Sequence, residues 1–387
     1  MTKQHFHWFV LGGGLSPYTL RLWEKVADRS GQSVTLAYVP RRGQEDFAHE
    51  VDVIDSRSVE LVPVDSLKTA INLGLRCSRE PHAAVVCMGY SPIYNFLISA
   101  FLRATGHDKR LVLYMSDTNG IALAERAGAS WLDGAAFVAK RIALGSTFAA
   151  SLDLGFSNAL AHRLQGIRRS IDIPLLSVEF PASMEAEVPE PVATLARELP
   201  RPRLLTVARL VECKNLVSQV KAFAAAIREG MPGSLTIVGE GPERSNLEPL
   251  LREIPGRAVL AGAVPFNASR RLFGAFDGIV ISSTADAWGI VIIEGLGWGL
   301  PVLSSRRCGA SVSLALETGD AVKLCGVSEE EIKSSLIGFV RDIERHSIAA
   351  KAIAPLIREK FGLIEVADAL IHLATRIHES NSPVVPT

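Results

Sequence analysis

"DGIVISSTADAWGIVIIEGLGWGLPVLSS", residues 277–305, places an apolar run (277–282) before a glycine-bearing apolar stretch (289–298) and a second short run (301–305). The order reads strand, helix, strand, the repeating unit of a parallel sheet. Two acids, Asp286 and Glu294, stand eight positions apart around the Trp288-Gly289 pair. With the helix starting near Gly289, that separation spans about 10 Å at a rise of about 1.5 Å per helical residue. Such a span suits the two ends of one extended ligand better than an acid and base pair, whose carboxyls sit roughly 5 to 9.5 Å apart in the usual sugar-cleaving arrangements. Local roles compete with this reading: Asp286 as the helix cap, Glu294 as one partner of a core salt bridge. Neither accounts for glycine at 289, 295, 297 and 299, at about 1 kcal/mol for each interior glycine. Close packing of a neighbour or a ligand does.

Working outward, 203–208, 234–239, 257–262, 277–282, 301–305 and 320–325 read as strands, with helices near 215–229, 243–253, 266–276, 289–298 and 329–342. This is a doubly wound parallel sheet, whose ligands sit outside the carboxyl ends of the strands. The amino-terminal half repeats the alternation, with strands at 5–11, 33–39, 83–88 and 110–115 and helices at 18–29, 93–104 and 120–128. Between the halves, residues 181–202 hold five prolines and four glutamates, a composition that marks a boundary rather than a core. The expected organisation is a first domain over 1–183, a linker over 184–202, a second domain over 203–346 and a helical segment over 347–380 that can cross back to the first domain. A chain of 387 residues suits two domains of that size.

Lys plus Arg and Asp plus Glu both number 41, so no overall field favours nucleic acid. The five cysteines show no CxxC pair and fit buried thiols in a reducing compartment. The first residues lack the order of a signal peptide, so export is not expected. Residues 83–102 carry no charge, but Gly89, Ser91, Pro92 and Asn95 interrupt them, and a strand followed by a buried helix explains the run.

Three further stretches can carry chemistry. "LGGGLSPYTL" (11–20) sets Gly13 and Gly14 in a turn after the first strand; it is either a tight turn or a place where a phosphate meets helix amides. It matches neither the dinucleotide fingerprint nor the P-loop. "VARLVECKN" (207–215) puts Arg209 and Lys214 beside a strand-to-helix turn, where two cations can neutralise a diphosphate or simply face solvent. "VGEGPER" (238–244) places Gly239 and Gly241 in another such turn; helix capping explains it, and so does close approach of a base or ribose.

Together, "VARLVECKN", "VGEGPE" and "DAWGIVIIEGLGWGLPVLSS", in this order over roughly 203–310, resemble the diphosphate-binding segment, glycine turn and E-x7-E segment of the retaining glycosyltransferases of family 4. The resemblance implies the GT-B fold: two Rossmann-like α/β domains with parallel sheets facing a central cleft. It implies that Arg209 and Lys214 clamp the donor diphosphate, that Glu294 hydrogen-bonds the ribose, and that Asp286 contacts hydroxyls of the transferred sugar. Backbone near Trp288, Gly289 and Ile290 would help to hold that sugar. The family usually has glutamate where Asp286 stands and often proline where Ala287 stands.

The first half resembles the family less closely. Gly13 and Gly14 look like its first loop, and "YMSDTNG" (114–120) sits where many members carry a histidine-bearing loop. Here that loop has no histidine, and Asp117 is left to contact the transferred sugar or the acceptor. The histidines at 7, 49, 82 and 107, His5 and His162 apart, show no triad-like context.

The resemblance implies a nucleoside-diphosphate sugar as donor, no cofactor and no metal, and a glycan or lipid-linked saccharide as acceptor in bacterial surface polysaccharide synthesis. It also implies a cytoplasmic location with peripheral contact at the inner face of the membrane. "SNALAHRLQGIRR" (157–169), with Arg163, Arg168 and Arg169, is either a stretch that approaches an anionic lipid surface or an ordinary solvated helix. The competing functions are a non-catalytic nucleotide-sugar or glycan-binding protein and a GT-B epimerase or phosphorylase.

Overall fold

The computed structural model describes residues 6–13, 15–40, 56–80, 82–89, 93–105, 112–116, 123, 131–181, 192–265 and 271–379. The chain divides into two compact units: unit one is Met1–Ser177 with Phe361–Thr387, and unit two is Val178–Lys360.

Unit one is built on seven parallel strands: β1 (His7–Leu11), β2 (Ser33–Tyr38), β3 (Glu60–Pro63), β4 (Ala83–Met88), β5 (Val112–Met115), β6 (Ala150–Leu152) and β7 (Ser170–Ile171). Their order is β3-β2-β1-β4-β5-β6-β7. The central strands are buried almost end to end, as expected when helices cover both faces of a parallel sheet. Helix α1 (Pro17–Ser30) starts on Ser16, whose hydroxyl accepts the Thr19 amide, and ends at Gly31 with φ 69°. Helices α2 (Leu67–Arg79), α3 (Ile93–Ala104), α4 (Trp131–Thr147) and α5 (Phe156–Leu164) follow. Strand order steps one way from β1 to β2 and the other way from β4 to β7, so right-handed crossovers place α1 on one face and α2, α3 and α4 on the other. Sequence patterning missed β3, β6 and β7, of four, three and two residues, because strands that short carry almost no periodicity. The helix expected over 120–128 lies outside the described residues apart from Leu123.

Unit two opens with α6 (Val192–Glu198) and then alternates β8 (Arg203–Val207), α7 (Leu216–Arg228), β9 (Ser234–Val238), α8 (Arg244–Arg252), β10 (Ala258–Gly262), β11 (Gly278–Ile281), α9 (Ile290–Gly297), β12 (Val302–Ser305), α10 (Gly309–Thr318), β13 (Val322–Cys325), α11 (Glu329–Arg341) and α12 (Ile343–Phe361). Its six parallel strands run β10-β9-β8-β11-β12-β13. Within the proline- and glutamate-rich stretch, Val192 and Ala196 of α6 are buried, so this part of it contributes to a core. A short 3-10 turn (Leu272–Ala275) occupies the end of the helix expected over 266–276; residues 266–270 are outside the described set. α10 was not legible in the sequence: Gly309, Ser311 and Ser313 are poor helix formers, held here by burial.

The last helix, α13 (Leu363–Glu379), packs against α1 in unit one, where Arg29 donates to both carboxylate oxygens of Asp368 at 2.7 Å. Residues 83–102 form β4 and most of α3, and among the described residues no helix is long and apolar enough to cross a membrane. Four cysteines are buried, but Cys213 is exposed, contrary to the reading of all five as buried thiols. Burial pushes the Cys77, Cys87 and Cys325 thiols up to about 12.

Candidate active site

In unit two the strand order reverses between β8 and β11, and an open parallel sheet binds ligands at the carboxyl ends of the strands beside such a switch point. The loop after β8 carries Arg209 and Lys214, and the loop after β11 carries Asp286. The two loops meet: Lys214 Nζ donates to Asp286 Oδ2 at 2.6 Å, with both side chains mostly shielded.

A chain of buried polar groups fixes this meeting point. Gln219 Nε2 donates to Thr206 Oγ1 at 2.6 Å, and Thr206 Oγ1 donates to the Val280 carbonyl at 2.8 Å. The Ser282 hydroxyl donates to Gln219 Oε1 at 2.7 Å. Asn215, in the left-handed region at φ 57°, closes the turn before α7, and its Nδ2 lies 3.1 Å from the Ser282 carbonyl and 2.9 Å from that of Val327. Buried polar groups that satisfy one another in this way hold one arrangement, because a rearrangement would strand donors and acceptors away from water.

The glycine turn after β9 serves the Arg209 loop from behind. The Leu210 amide donates to the Glu240 carbonyl at 2.8 Å, and the Glu243 amide returns a bond to the Leu210 carbonyl at 2.9 Å. Gly239 and Gly241 have φ of 145° and 151°. A Cβ on Gly241 would lie 2.5 Å from the Leu210 carbonyl oxygen, and one on Gly239 would collide with that of Ala208. These close approaches account for glycine at both positions.

Asp286 is not the cap of α9. That position belongs to Gly289, at φ 87° and without a side-chain cap, while Asp286 pairs in a short parallel bridge with Cys308. The Trp288 carbonyl accepts the Ala310 amide at 2.8 Å, and Trp288 itself is buried. Burial first, and the nearby Asp286 charge second, raise the Cys308 thiol above its ordinary range, with Lys214 opposing. Ile290 begins α9, and Glu294 lies buried in its middle. The remaining glycines of the helix also answer to protein neighbours: a Cβ on Gly295 would lie 2.7 Å from Ile279 Cγ1, and one on Gly297 would enter the Phe180 ring. Arg209 is exposed on its loop.

In unit one Gly13 follows β1 at the corresponding reversal between β1 and β4. Asn95 Nδ2 donates to the Leu11 carbonyl at 3.0 Å and fixes the strand end there. Gly14 and Asp117 lie outside the described residues.

The end of β5 carries an arrangement that sequence reading did not find. The Ser116 amide donates to His162 Nε2 at 3.2 Å, and the Ser116 hydroxyl oxygen is 3.0 Å from the same nitrogen. An Nε2 that accepts an amide hydrogen leaves Nδ1 as the donor, and Nδ1 faces Asp153 Oδ1. Asp153 also accepts the Ser170 hydroxyl, and Asn158 Nδ2 donates to the Ser116 carbonyl. Ser116, Asp153, Asn158 and His162 are all buried, so the group anchors the end of β5 rather than presenting a nucleophile. No local signal marks it, since Asp153 and Ser116 lie nine and 46 positions from His162. The inner face of α5 is thus committed to the core, which leaves Arg163, Arg168 and Arg169 as the exposed cations of the 157–169 stretch. Among the described residues no group of three or more His, Cys, Asp or Glu side chains is placed to hold a metal ion.

Residues 201–342 match the family model described as glycosyl transferases group 1. Among curated proteins, the chain is similar to the lipopolysaccharide core biosynthesis glycosyltransferase LpsE of Rhizobium meliloti (strain 1021), at 30% identity over 147 residues, 37% of this chain and 39% of that protein. It is also similar to N-acetyl-alpha-D-glucosaminyl L-malate synthase of Bacillus anthracis, at 24% identity over 161 residues, 41% of each chain. The matched stretch thus spans about two fifths of these relatives. Among solved structures, Anabaena Alr3699/HepE in complex with UDP superposes with a TM-score of 0.68 at 13% identity, covering 96% of this chain and 100% of that one. At that identity the shared property is the fold, and two parallel-sheet α/β units in this order are the GT-B architecture.

Proposed function

We propose that this protein transfers a sugar from a nucleoside-diphosphate sugar to a hydroxyl of a glycan or lipid-linked acceptor, with retention at the anomeric carbon, in the synthesis of a surface polysaccharide. The observation that carries the reading is Lys214 Nζ standing 2.6 Å from Asp286 at the switch point of unit two, inside the stretch that matches the family model.

An ammonium group has three donors. Lys214 can therefore keep its bond to Asp286 and turn another N–H toward a diphosphate oxygen, with Arg209 supplying a second cation from the same loop. Both would stabilise the negative charge that grows on the diphosphate as the sugar departs, where preorganised charge is most effective. The α9 start, which has no side-chain cap, offers amides to the same anion. Glu294 takes the ribose, and Asp286 faces the transferred sugar while holding Lys214. Asp286 is one methylene shorter than the glutamate usual in the family that the sequence resembles, and its pairing with Lys214 gives that difference a physical role: it sets how far the ammonium reaches. The acceptor oxygen attacks from the face that the diphosphate leaves.

A thermal-shift panel of UDP-, GDP-, ADP-, TDP- and CMP-sugars tests the donor site first, because a ligand that binds only the folded state raises its melting temperature by mass action. The UDP in the similar Anabaena structure makes uridine donors the first to try. Transfer and the configuration of the product are then read by NMR. A Lys214→Ala protein that kept both donor binding and transfer would overturn the reading. Release of an epimer without acceptor, or phosphate-dependent cleavage of a glycan, would select an epimerase or a phosphorylase; donor binding with no turnover would select a binding protein.

A further inference from the structure

Helix α9 carries Glu294 and begins at the Gly289 turn, so its placement sets both. Little in its own sequence holds it. It has eight residues, Gly295 and Gly297 among them, and no side-chain cap at its start; glycine in a helix interior weakens the helix. The last four carbonyls of a helix have no partner inside it. Here three are met close by. Glu294 and Gly295 accept the Trp298 amide at 3.1 Å, Gly295 also accepts that of Leu300 at 2.9 Å, and Leu296 accepts that of Gly299 at 2.9 Å. The fourth, Gly297, accepts Arg358 Nη1 of α12 at 2.6 Å. A cation is also the charge that a helix C-terminus favours.

Gly297 meets a second neighbour, since a Cβ there would enter the Phe180 ring. Two residues on, a Cβ on Gly299 would lie 3.2 Å from Lys351 Cγ. Lys351 and Arg358 stand seven residues apart on α12, close to two helical turns, so one face of α12 lies along this turn. Phe180 comes two residues after unit two begins at Val178, and Arg358 two residues before it ends at Lys360. The segment that enters unit two and the segment that leaves it are therefore both seated on the last turn of α9.

We infer that Phe180 and Arg358 form a clamp on the last turn of α9, with Arg358 as the positioning residue for Glu294; the inference rests on the reading that Glu294 takes the donor ribose. Glu294 is the first residue of that turn. When the Gly297 carbonyl loses its donor, the turn that unwinds is the one bearing the carboxylate, because an acceptor left short of a partner favours the frayed form that water can reach. Arg358 touches no substrate and acts through the helix. Since the clamp is built from the segments that enter and leave unit two, a displacement of either is felt at the ribose contact.

The test compares the full-length wild type with Arg358→Met, which keeps the stem and removes the donors, and Arg358→Lys, which restores a donor. Hydrogen exchange without nucleotide reads the clamp. The amides of Trp298, Gly299 and Leu300, which bond to carbonyls of the last turn, should exchange about tenfold faster or more in Arg358→Met and near the wild-type rate in Arg358→Lys, with the amides of β8 unchanged. Calorimetric binding of UDP and of 2′,3′-dideoxy-UDP reads the positioning. The wild type should prefer UDP by about tenfold or more, as for hydrogen bonds to a charged group. Arg358→Met should lose most of that preference by weakening UDP alone, and Arg358→Lys should recover it. Unchanged exchange at 298–300 overturns the inference. So does a preference that Arg358→Met keeps, or that it loses by weakening both nucleotides equally. A wild type that does not distinguish the two nucleotides sinks the ribose role of Glu294 and with it the positioning, whereas the exchange reports on the clamp whatever nucleotide binds.

Discussion

In unit two the loop bearing Arg209 and Lys214 is held through its backbone: Gly239 and Gly241 let the turn after β9 press onto the Ala208 and Leu210 carbonyls, and the Ser282 hydroxyl, fixed by Gln219, reaches the Lys214 carbonyl. In unit one the end of β5 is held by side chains, with Ser116, His162, Asp153 and Asn158 locked together in the interior. A loop anchored through its backbone leaves its own surface side chains outside the anchor. A loop fixed by buried side chains commits its polar groups to the anchor. On this contrast, substitutions in unit two divide into those that remove chemistry and those that remove the fold, whereas the unit-one cluster acts through position alone.

The largest effect is expected at Lys214. Lys214→Ala should lower transfer by roughly 10²- to 10³-fold, as removal of one preorganised donor at a developing charge does, with little change in the urea midpoint. Next comes Gly239→Ala, whose methyl has no room beside the Ala208 carbonyl; forced contacts of this kind cost about 1–3 kcal/mol or more, seen as a lower midpoint in chemical denaturation. Were the protein as stable as wild type, the backbone account of this loop would be wrong. His162→Ala leaves a buried carboxylate short of a donor, at about 1–3 kcal/mol, and should slow transfer while leaving the nucleotide-induced thermal shift of unit two intact. Loss of that shift would mean that the cluster is not confined to unit one in its effect. Asp286→Asn removes the charge that holds Lys214. Its stability effect should stay within about 1 kcal/mol, as for ion pairs near a surface, while the ratio of turnover with two different donor sugars changes. The smallest effect concerns Glu60, whose carboxyl the Arg76 guanidinium holds below the usual 4.5. Because the folded value is depressed, this contribution is present above 4.5 and fades as the pH falls through the folded value. Glu60→Gln should therefore shrink the gap between neutral and acid melting temperatures.

Unit two was legible strand by strand because its inner strands β8, β9, β11 and β12 are largely buried apolar runs closed by polar or glycine turns, as parallel strands covered on both faces require. The candidate residues Arg209, Lys214, Asp286 and Glu294 were singled out because each lies on a short segment beside a strand end. The Asp153–His162–Ser116 arrangement was not legible, because Ser116 and Asp153 follow the ends of two different strands, His162 sits on a helix, and only the sheet brings them together. The cap role weighed for Asp286 falls to Gly289, because Asp286 is held away by its pairing with Lys214 and by the bridge to Cys308.

By itself the sequence determined the alternation of strands and helices, the parallel sheet of unit two and the cations and acids beside its turns, since these follow from periodicity, glycine and local charge; that they serve a sugar donor is what the family resemblance implies. Tertiary structure decided what those residues touch. It set the glycines of α9 against Ile279 and Phe180 and joined Lys214 to Asp286 across 72 positions. Contacts of that range depend on which strands become neighbours, and strand order is a property of the whole sheet that no local stretch encodes.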